Sequence, residues 1–516
     1  MSVELDSSFE SVRLREINCA PKCGKVKWIK NKGAILIILW SFLIGTVFHL
    51  LRAGYNEPQK AVNHVSYTGL ILISSTLFYP IGGWLGDTRL GRYIVIRYSM
   101  RIMWIGCLLL TTNEVLTDVF AMQLAIRVWI YRCLYIIMAI ALGGFQSNII
   151  QLGIDQLSDA SSTEITSFIM WYTVTFFTSG VILHYTSDCV QKVYNVLYIK
   201  PFVSSLCLSL ALCSDFIFQY TLTKEQISGK PLLTTLKVLL YTFKSRKFKH
   251  NFMHTELVST FDIAKHRYGG PYTAQQVENV RTFLWMITII GLFAVICGIL
   301  YPLEYAQDKM MYSTISWEGN TTLLTCYMKL SVHYFGYTFV IAVVFLYEFF
   351  VCPLFSSCIP RLSTESIFLL GALLVFLWST SLLIMESVAY KYHSNCFSSK
   401  LQLDYKWFLL PKSIHGIASL LFILSSFKFI WSQAPLTMKG MMFGFGYFFL
   451  GLSALLHIAL ASLFIFDWPV TISWNHAKLT CGIWYFVMEG LITLMATALI
   501  TIAVQIYKKK KSGYTA

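Results

Sequence analysis

The sequence predicts an all-α polytopic membrane protein, and three observations carry that prediction. The 516 residues are 56% hydrophobic and only 13% charged, with a mean hydropathy of +0.60, more apolar side chain than a water-exposed surface accommodates. The apolar residues fall into twelve long runs. The basic residues gather in segments between and beyond those runs, the bias that orients a chain in a bilayer. The net charge of +15 therefore points to anionic lipid, not to nucleic acid.

A hydrocarbon core of about 30 Å takes roughly 20 helical residues to cross. Runs of that length lie near 33–55, 67–86, 94–112, 128–152, 164–186, 198–220, 282–303, 333–355, 366–389, 407–429, 440–466 and 479–506. The polar segment 1–32 precedes the first run and is too polar for a signal peptide, so that run is expected to stay as a helix. It carries Arg13, Arg15, Lys22, Lys25, Lys27, Lys30 and Lys32. The segment 221–281 carries Lys244, Arg246, Lys247, Lys249, Lys265 and Arg267, and the tail 507–516 carries Lys508 to Lys511. With twelve crossings all three basic segments share one side, which the positive bias makes cytosolic. The loops near 113–126 and 467–478 are almost free of positive charge and fall on the other side. So does the sequon at Asn320, a candidate glycosylation site. The expected organisation is a bundle of six helices over 33–220, a basic linker over 221–281 and a second bundle over 282–506. No internal repeat is evident, and the linker shows no sign of a separate folded domain.

Thirteen cysteines are scattered without metal-ligand spacing. Cys19-x-x-x-Cys23 is a lone pair beside basic residues, more often incidental than a zinc or palmitoylation site. No metal or cofactor is expected. The absence of a nucleotide motif or nucleophile triad argues against an enzyme.

Four ordered motifs narrow the reading. Between the second and third runs stands Gly82-Gly83-Trp84-Leu85-Gly86-Asp87-Thr88-Arg89-Leu90-Gly91-Arg92. Glycines let helix ends approach closely, an acid pairs with arginine or caps a helix, and arginines mark the cytosolic side. After the fourth run come Gly143-Gly144-Phe145-Gln146-Ser147-Asn148, Gly153-Ile154-Asp155-Gln156-Leu157 and Thr166-Ser167-Phe168. The eighth run ends in Tyr347-Glu348-Phe349-Phe350-Val351-Cys352-Pro353. The tenth ends in Ser432-Gln433-Ala434-Pro435, followed by Met438-Lys439. Together these resemble the proton-coupled oligopeptide transporter family of the major facilitator superfamily, and within it the animal peptide/histidine subgroup. The resemblance runs in order from about Arg52 to Lys439. Gly269-Gly270-Pro271-Tyr272-Thr273 and the run Gln276 to Arg281 look like that family's approach to its seventh helix.

The resemblance implies two six-helix bundles around a central cavity, and alternating access of short peptides driven by protons. It also assigns candidate residues. Arg52 at the end of the first helix is placed to hold a substrate carboxylate, with Tyr55 just beyond; an arginine there also serves as an interfacial anchor. Gln146 and Asn148 are candidate neutral donors in the cavity. Tyr305 and Gln307 stand where the family has an aromatic residue and a glutamine. Ser419 stands where it has the glutamate that clamps a peptide amino group, and no acid occurs between Asp404 and Asp467. Gly83, Asp87, Arg92 and Asp155 are candidate gate residues.

The chain departs from the family at the proton switch. Both glutamates of the first-helix Glu-x-x-Glu-Arg are apolar here, Phe48 and Leu51, and the lysine that pairs with one of them is Gln146. Losing both ends of a buried ion pair together is physically consistent, because a lone buried lysine is costly. The remaining candidates for coupling are Glu304, His49 and Glu348. Each has a plainer alternative: an interfacial acid paired with Lys309, a structural histidine, and a structural ion pair. The expected function is secondary transport of short peptides or related amino-containing solutes, with proton coupling altered or lost. Rivals are a transporter-derived scaffold or receptor recruiting partners through 1–32 and 221–281, and a facilitative carrier of another small solute. Plasma and endolysosomal membranes are equally open.

Overall fold

A computed structural model of the chain describes residues 27–53, 64–120, 124–194, 198–223, 231–245, 260–314, 334–351, 364–392, 405–464 and 483–512, with the single residues 196 and 331. The described residues form helices α1 (Lys32–Ala53), α2 (His64–Thr88), α3 (Arg92–Phe120), α4 (Leu124–Asp155) and α5 (Ser162–Ser179). A π turn, Gly180–His184, leads into α6 (Tyr185–Tyr194), followed by α7 (Ile199–Phe218) and α8 (Pro231–Lys244). Next come α9 (Ala274–Thr314) and α10 (Phe335–Leu346), the latter ending in a second π turn, Tyr347–Val351. The last four are α11 (Thr364–Tyr392), α12 (Leu409–Gln433), α13 (Lys439–Phe464) and α14 (Ile483–Ser512). The described residues hold no β-strand, only an isolated bridge between Lys265 and Tyr272. This is the all-α membrane architecture the hydropathy predicts, the one open-ended form that satisfies every backbone polar group within its own segment in lipid.

Nine stretches of the described residues are long and apolar enough to cross a bilayer, and Phe335–Val351 is apolar but shorter. The runs predicted near 67–86 and 440–466 fall on α2 and α13, which do not meet that measure over their described residues. The expected count of twelve depends on them.

Helix ends follow local chemistry. Ser161 caps α5 in a capping box with Glu164. Thr273 and Gln276 form the same reciprocal pair, Thr273 Oγ1 accepting from the Gln276 amide at 3.2 Å and Gln276 Oε1 from the Thr273 amide at 3.1 Å. That cap starts α9 at Ala274, inside the stretch the sequence assigns to the linker. The α2–α3 turn passes through Gly91 at φ +83°, a conformation that favours glycine.

Two groups of helices pack side by side. In one, α4 lies against α2 and α3, α7 against α1 and α3, and α5 against α1. In the other, α9 lies against α13, and α11 and α12 against each other, with α10 on α12 and α14 on α11. Between the groups α2 and α4 meet α13, and α5 meets α10 and α12. The closest contact is α2 on α13, where a Cβ on Gly83 would run into the Gly440 carbonyl. Trp40, Phe145 and Phe168 fill one side of the core, and Trp378, Phe422 and Phe443 the other. From the linker, α8 docks through Val238 against Ala264, Val277 and Val280.

Candidate functional site

At the end of the bundle that the sequence assigns to the cytosol, Asp87 closes the last turn of α2 and is almost fully buried. Its Oδ1 accepts from Arg92 Nε at 3.0 Å, and its Oδ2 accepts from the Met441 amide at 2.9 Å. The Gly440 backbone lies beside the same carboxylate. Both residues lie in the first turn of α13, where backbone N–H groups lack intrahelical partners and the helix dipole favours an anion. Arg92 Nη1 reaches Asp155 Oδ2 at 2.6 Å, and Gln151 Nε2 donates to Asp155 Oδ1 at 2.6 Å. Two carboxylates, one guanidinium and the positive end of α13 thus tie α2, α3, α4 and α13 together. Asn148 stands next to this clasp, its Nδ2 donating to the carbonyls of Gly82 and Gly144, both at 2.9 Å. It faces the α2–α13 crossing.

Deeper in the bundle, Gln146 on α4 is buried, and its Oε1 accepts from Tyr172 of α5 at 3.0 Å and Tyr447 of α13 at 3.2 Å. Tyr79 of α2 stacks on Tyr447, with ring centroids 4.9 Å apart. Phe427 of α12 tilts against the same ring at 5.7 Å. Five helices from both groups therefore meet around one neutral side chain. Tyr79 lies eight residues before Asp87, about 12 Å along α2.

A third meeting point joins two of the motifs. Glu348, half-buried in the π turn after α10, bonds to Ser167 of α5, beside Trp171 and Phe349 at 6.0 Å. His49 is buried on α1 between Phe48 and Phe176, at 5.5 and 5.7 Å. A Cβ on Gly180 would collide with its ring, so His49 seats against the π turn Gly180–His184. Ser419 is buried on α12, two turns before Phe427. Arg52, Glu304, Tyr305 and Gln307 lie in helices, but their side chains are outside the described residues, as are Tyr55, Asn320 and the Cys19–Cys23 pair. Among the described residues no group of three or more His, Cys, Asp or Glu side chains is placed to hold a metal ion.

Tyr79 and Tyr447 carry no hydropathy signal. Their trace in the sequence is a polar-tipped ring beside a helix-weakening residue, Tyr79-Pro80 and Gly446-Tyr447. Tyr172 reads as a packing aromatic until its hydroxyl is seen on Gln146.

No protein-family model matches the chain. Over 293 residues it is 23% identical to solute carrier family 15 member 5 of Homo sapiens, a match covering 54% of this chain and 48% of that one. The chain thus spans about half the length of that curated relative. Among solved structures, the POT family transporter PepTSo superposes with a TM-score of 0.64 at 12% identity, covering 93% of this chain and 99% of that one. The fold is that of the oligopeptide transporters of the major facilitator superfamily. An auto-inhibited POT family peptide transporter gives 0.61 at 13% identity over 92% of this chain and 97% of that one. The proton:xylose symporter XylE gives 0.54 at 14% identity over 90% and 94%. The likeness to the oligopeptide transporter family carried by the motifs is met in sequence and in structure, and these relatives are carriers by name, not enzymes.

Proposed function

We propose that this chain is a secondary transporter of short peptides or related amino-containing solutes that works by alternating access without the usual glutamate–lysine proton switch. The observation that carries this reading is Gln146. It occupies the lysine position of the resemblance, and as a neutral acceptor it is satisfied by two tyrosine hydroxyls. A lysine there would need an acid, and the two first-helix positions that supply one in the family are a half-buried Phe48 and a buried Leu51. The clasp from Asp87 to α13 supports the gating half of the reading, since it is a polar join between the two groups at one end, while Phe177 of α5 stacks on Tyr337 of α10 elsewhere along the seam. Arg52 is the residue we assign to a substrate carboxylate. Ser419 in place of an acid argues for weak selection of a charged amino group. On this reading the groups divide at 221–281, both tails face the cytosol, and Glu304, Glu348 and His49 are what remains for any residual coupling.

Magnitudes decide what such a protein can do. A 100-fold accumulation requires about 2.7 kcal/mol, and one charge crossing 100 mV supplies roughly 2.3 kcal/mol. Without a titrating switch that supply is not tapped, and solute only equilibrates. The test is initial-rate uptake of labelled dipeptide and of histidine into proteoliposomes. Saturable uptake indifferent to an inward acid gradient is expected; uptake that needs the gradient contradicts the reading. The scaffold reading rests on residues 260–281, where Lys265 and Arg281 bridge Asp262 and Glu278. Absence of uptake for every solute tried favours it.

A further inference from the structure

We propose that the cleft between α3 and α7 is a binding site for one anionic phospholipid of the leaflet at the Arg92 end of the bundle. The cleft has a volume of about 360 Å³ and is lined by Arg97, Arg101, Trp104, Ile105, Leu212, Asp215 and Phe216. It is independent of the clasp and of the tyrosine cluster.

Its chemistry is graded along its length. Arg97, Arg101 and the pair Trp104–Ile105 follow one another at four-residue steps on α3, one face of the helix at about 6 Å per step. The cationic groups are nearest the Arg92 end, and the apolar walls lie deeper. That is the order of a phosphodiester followed by acyl chain. The antiparallel α7 has the matching order, with Asp215 and Phe216 near its end and Leu212 a turn deeper. Trp104 turns its Nε1 inward onto Ser209 Oγ at 2.8 Å and leaves its ring as wall. Ile105 and Phe216 are exposed at 51% and 70%, as expected of surface covered by lipid.

The charges leave room for one anion. Asp215 is buried and fully engaged, its Oδ2 3.0 Å from Arg97 Nε and its Oδ1 accepting from Tyr93 at 2.7 Å. Arg101 is exposed, lies over the Tyr98 ring at 5.8 Å and has no acidic partner among the described residues. The lining therefore sums to one positive charge, which a phosphodiester neutralises. A choline or ethanolamine headgroup would bring a second cation with no acid to receive it, so an anionic lipid is preferred. Depth agrees. The 29 residues of α3 span about 43 Å, close to the 40–45 Å of a bilayer with its headgroups. Arg97 then stands at the headgroup boundary. Arg101 stands a turn below it, where a guanidinium must reach back to the interface or meet a phosphate.

The test uses the full chain purified in mild detergent with equimolar palmitoyl-oleoyl phosphatidylglycerol and phosphatidylcholine, and counts retained lipids by native mass spectrometry. The protein should retain one phosphatidylglycerol with at least fivefold preference. R101Q should lower that retention at least fivefold. L212W, which fills the cleft without touching charge, should lower it as well. R89Q, an exposed arginine at the same end, should stay within twofold of the parent. Equal retention of the two lipids overturns the proposal. So does parental retention in both R101Q and L212W, or a loss in R89Q equal to that in R101Q, which would mean diffuse attraction and no site.

Discussion

Asp87 holds an arginine with one oxygen and the first turn of a helix from the other half of the molecule with its second. Removing it leaves the buried Arg92 guanidinium with Asp155 alone and frees the Met441 amide. A charged hydrogen bond is worth about 1.5–3 kcal/mol, so D87A should speed amide exchange over 439–443 by about tenfold or more, at 1.4 kcal/mol per decade. D87N, which keeps an acceptor, should speed it less. Hydrogen exchange read by mass spectrometry checks both, and unchanged exchange in D87A contradicts the clasp. Gln146 makes a second prediction. Q146L leaves two buried hydroxyls without their acceptor, at about 1–3 kcal/mol each, whereas Y447F removes one donor and leaves Gln146 with Tyr172. Thermal unfolding should rank Q146L below Y447F, and the opposite order contradicts the shared acceptor. At this scale the sequence exposed the acid, the arginine and the glutamine, because charged and amide groups stand out in apolar runs. It concealed the tyrosines that give Gln146 its surroundings, since a hydroxyl on a ring barely alters hydropathy.

Among the elements, the linker differs most from its reading. A Thr-x-x-Gln cap starts α9 early, and Lys265 and Arg281 tie the segment before it to the helix through Asp262 and Glu278. Burial alone would lower the Lys265 pKa; its hydrogen bonds and ion pairs with the two carboxylates outweigh that and hold it above its ordinary 10.5. A raised folded pKa means that the stabilisation is complete below the ordinary value and is lost only as pH climbs through the raised one. Trypsin cleavage within 260–272 should therefore not vary through Lys265 between about pH 6 and 9. K265Q should speed it roughly fivefold, corresponding to about 1 kcal/mol for two partly exposed pairs. Unaltered cleavage in K265Q would mean that the network does not hold the segment. The cap before α9 is visible as a sequence pattern, whereas helix α8 (Pro231–Lys244) is not, because polar linkers hide short amphipathic helices. Neither π turn was legible. Each is set by what packs against it, His49 under Gly180 in one case, and that is tertiary information.

Across the whole molecule, hydropathy and the order of four motifs were enough to reach the transporter fold. The contacts that join its halves left no trace in the sequence. Asp87 and Met441 are 354 residues apart, and the acceptor at one end of their bond is a side chain while the donor is backbone. Among the described residues the polar bonds between the groups include the Met441 amide on Asp87 and the Tyr447 hydroxyl on Gln146. The proposed loss of the switch can be tested by restoring its charges. L51E combined with Q146K should make uptake depend on pH, because a carboxylate and an ammonium would again share a low-dielectric site. Pairing requires both, and Q146K alone should lose activity by burying an unpaired cation. The most direct check of the central claim is the steady-state ratio of internal to external labelled dipeptide in proteoliposomes under an inward acid gradient of one pH unit. The account predicts a ratio of one, reached by saturable entry; a ratio well above one, abolished by a protonophore, would contradict it.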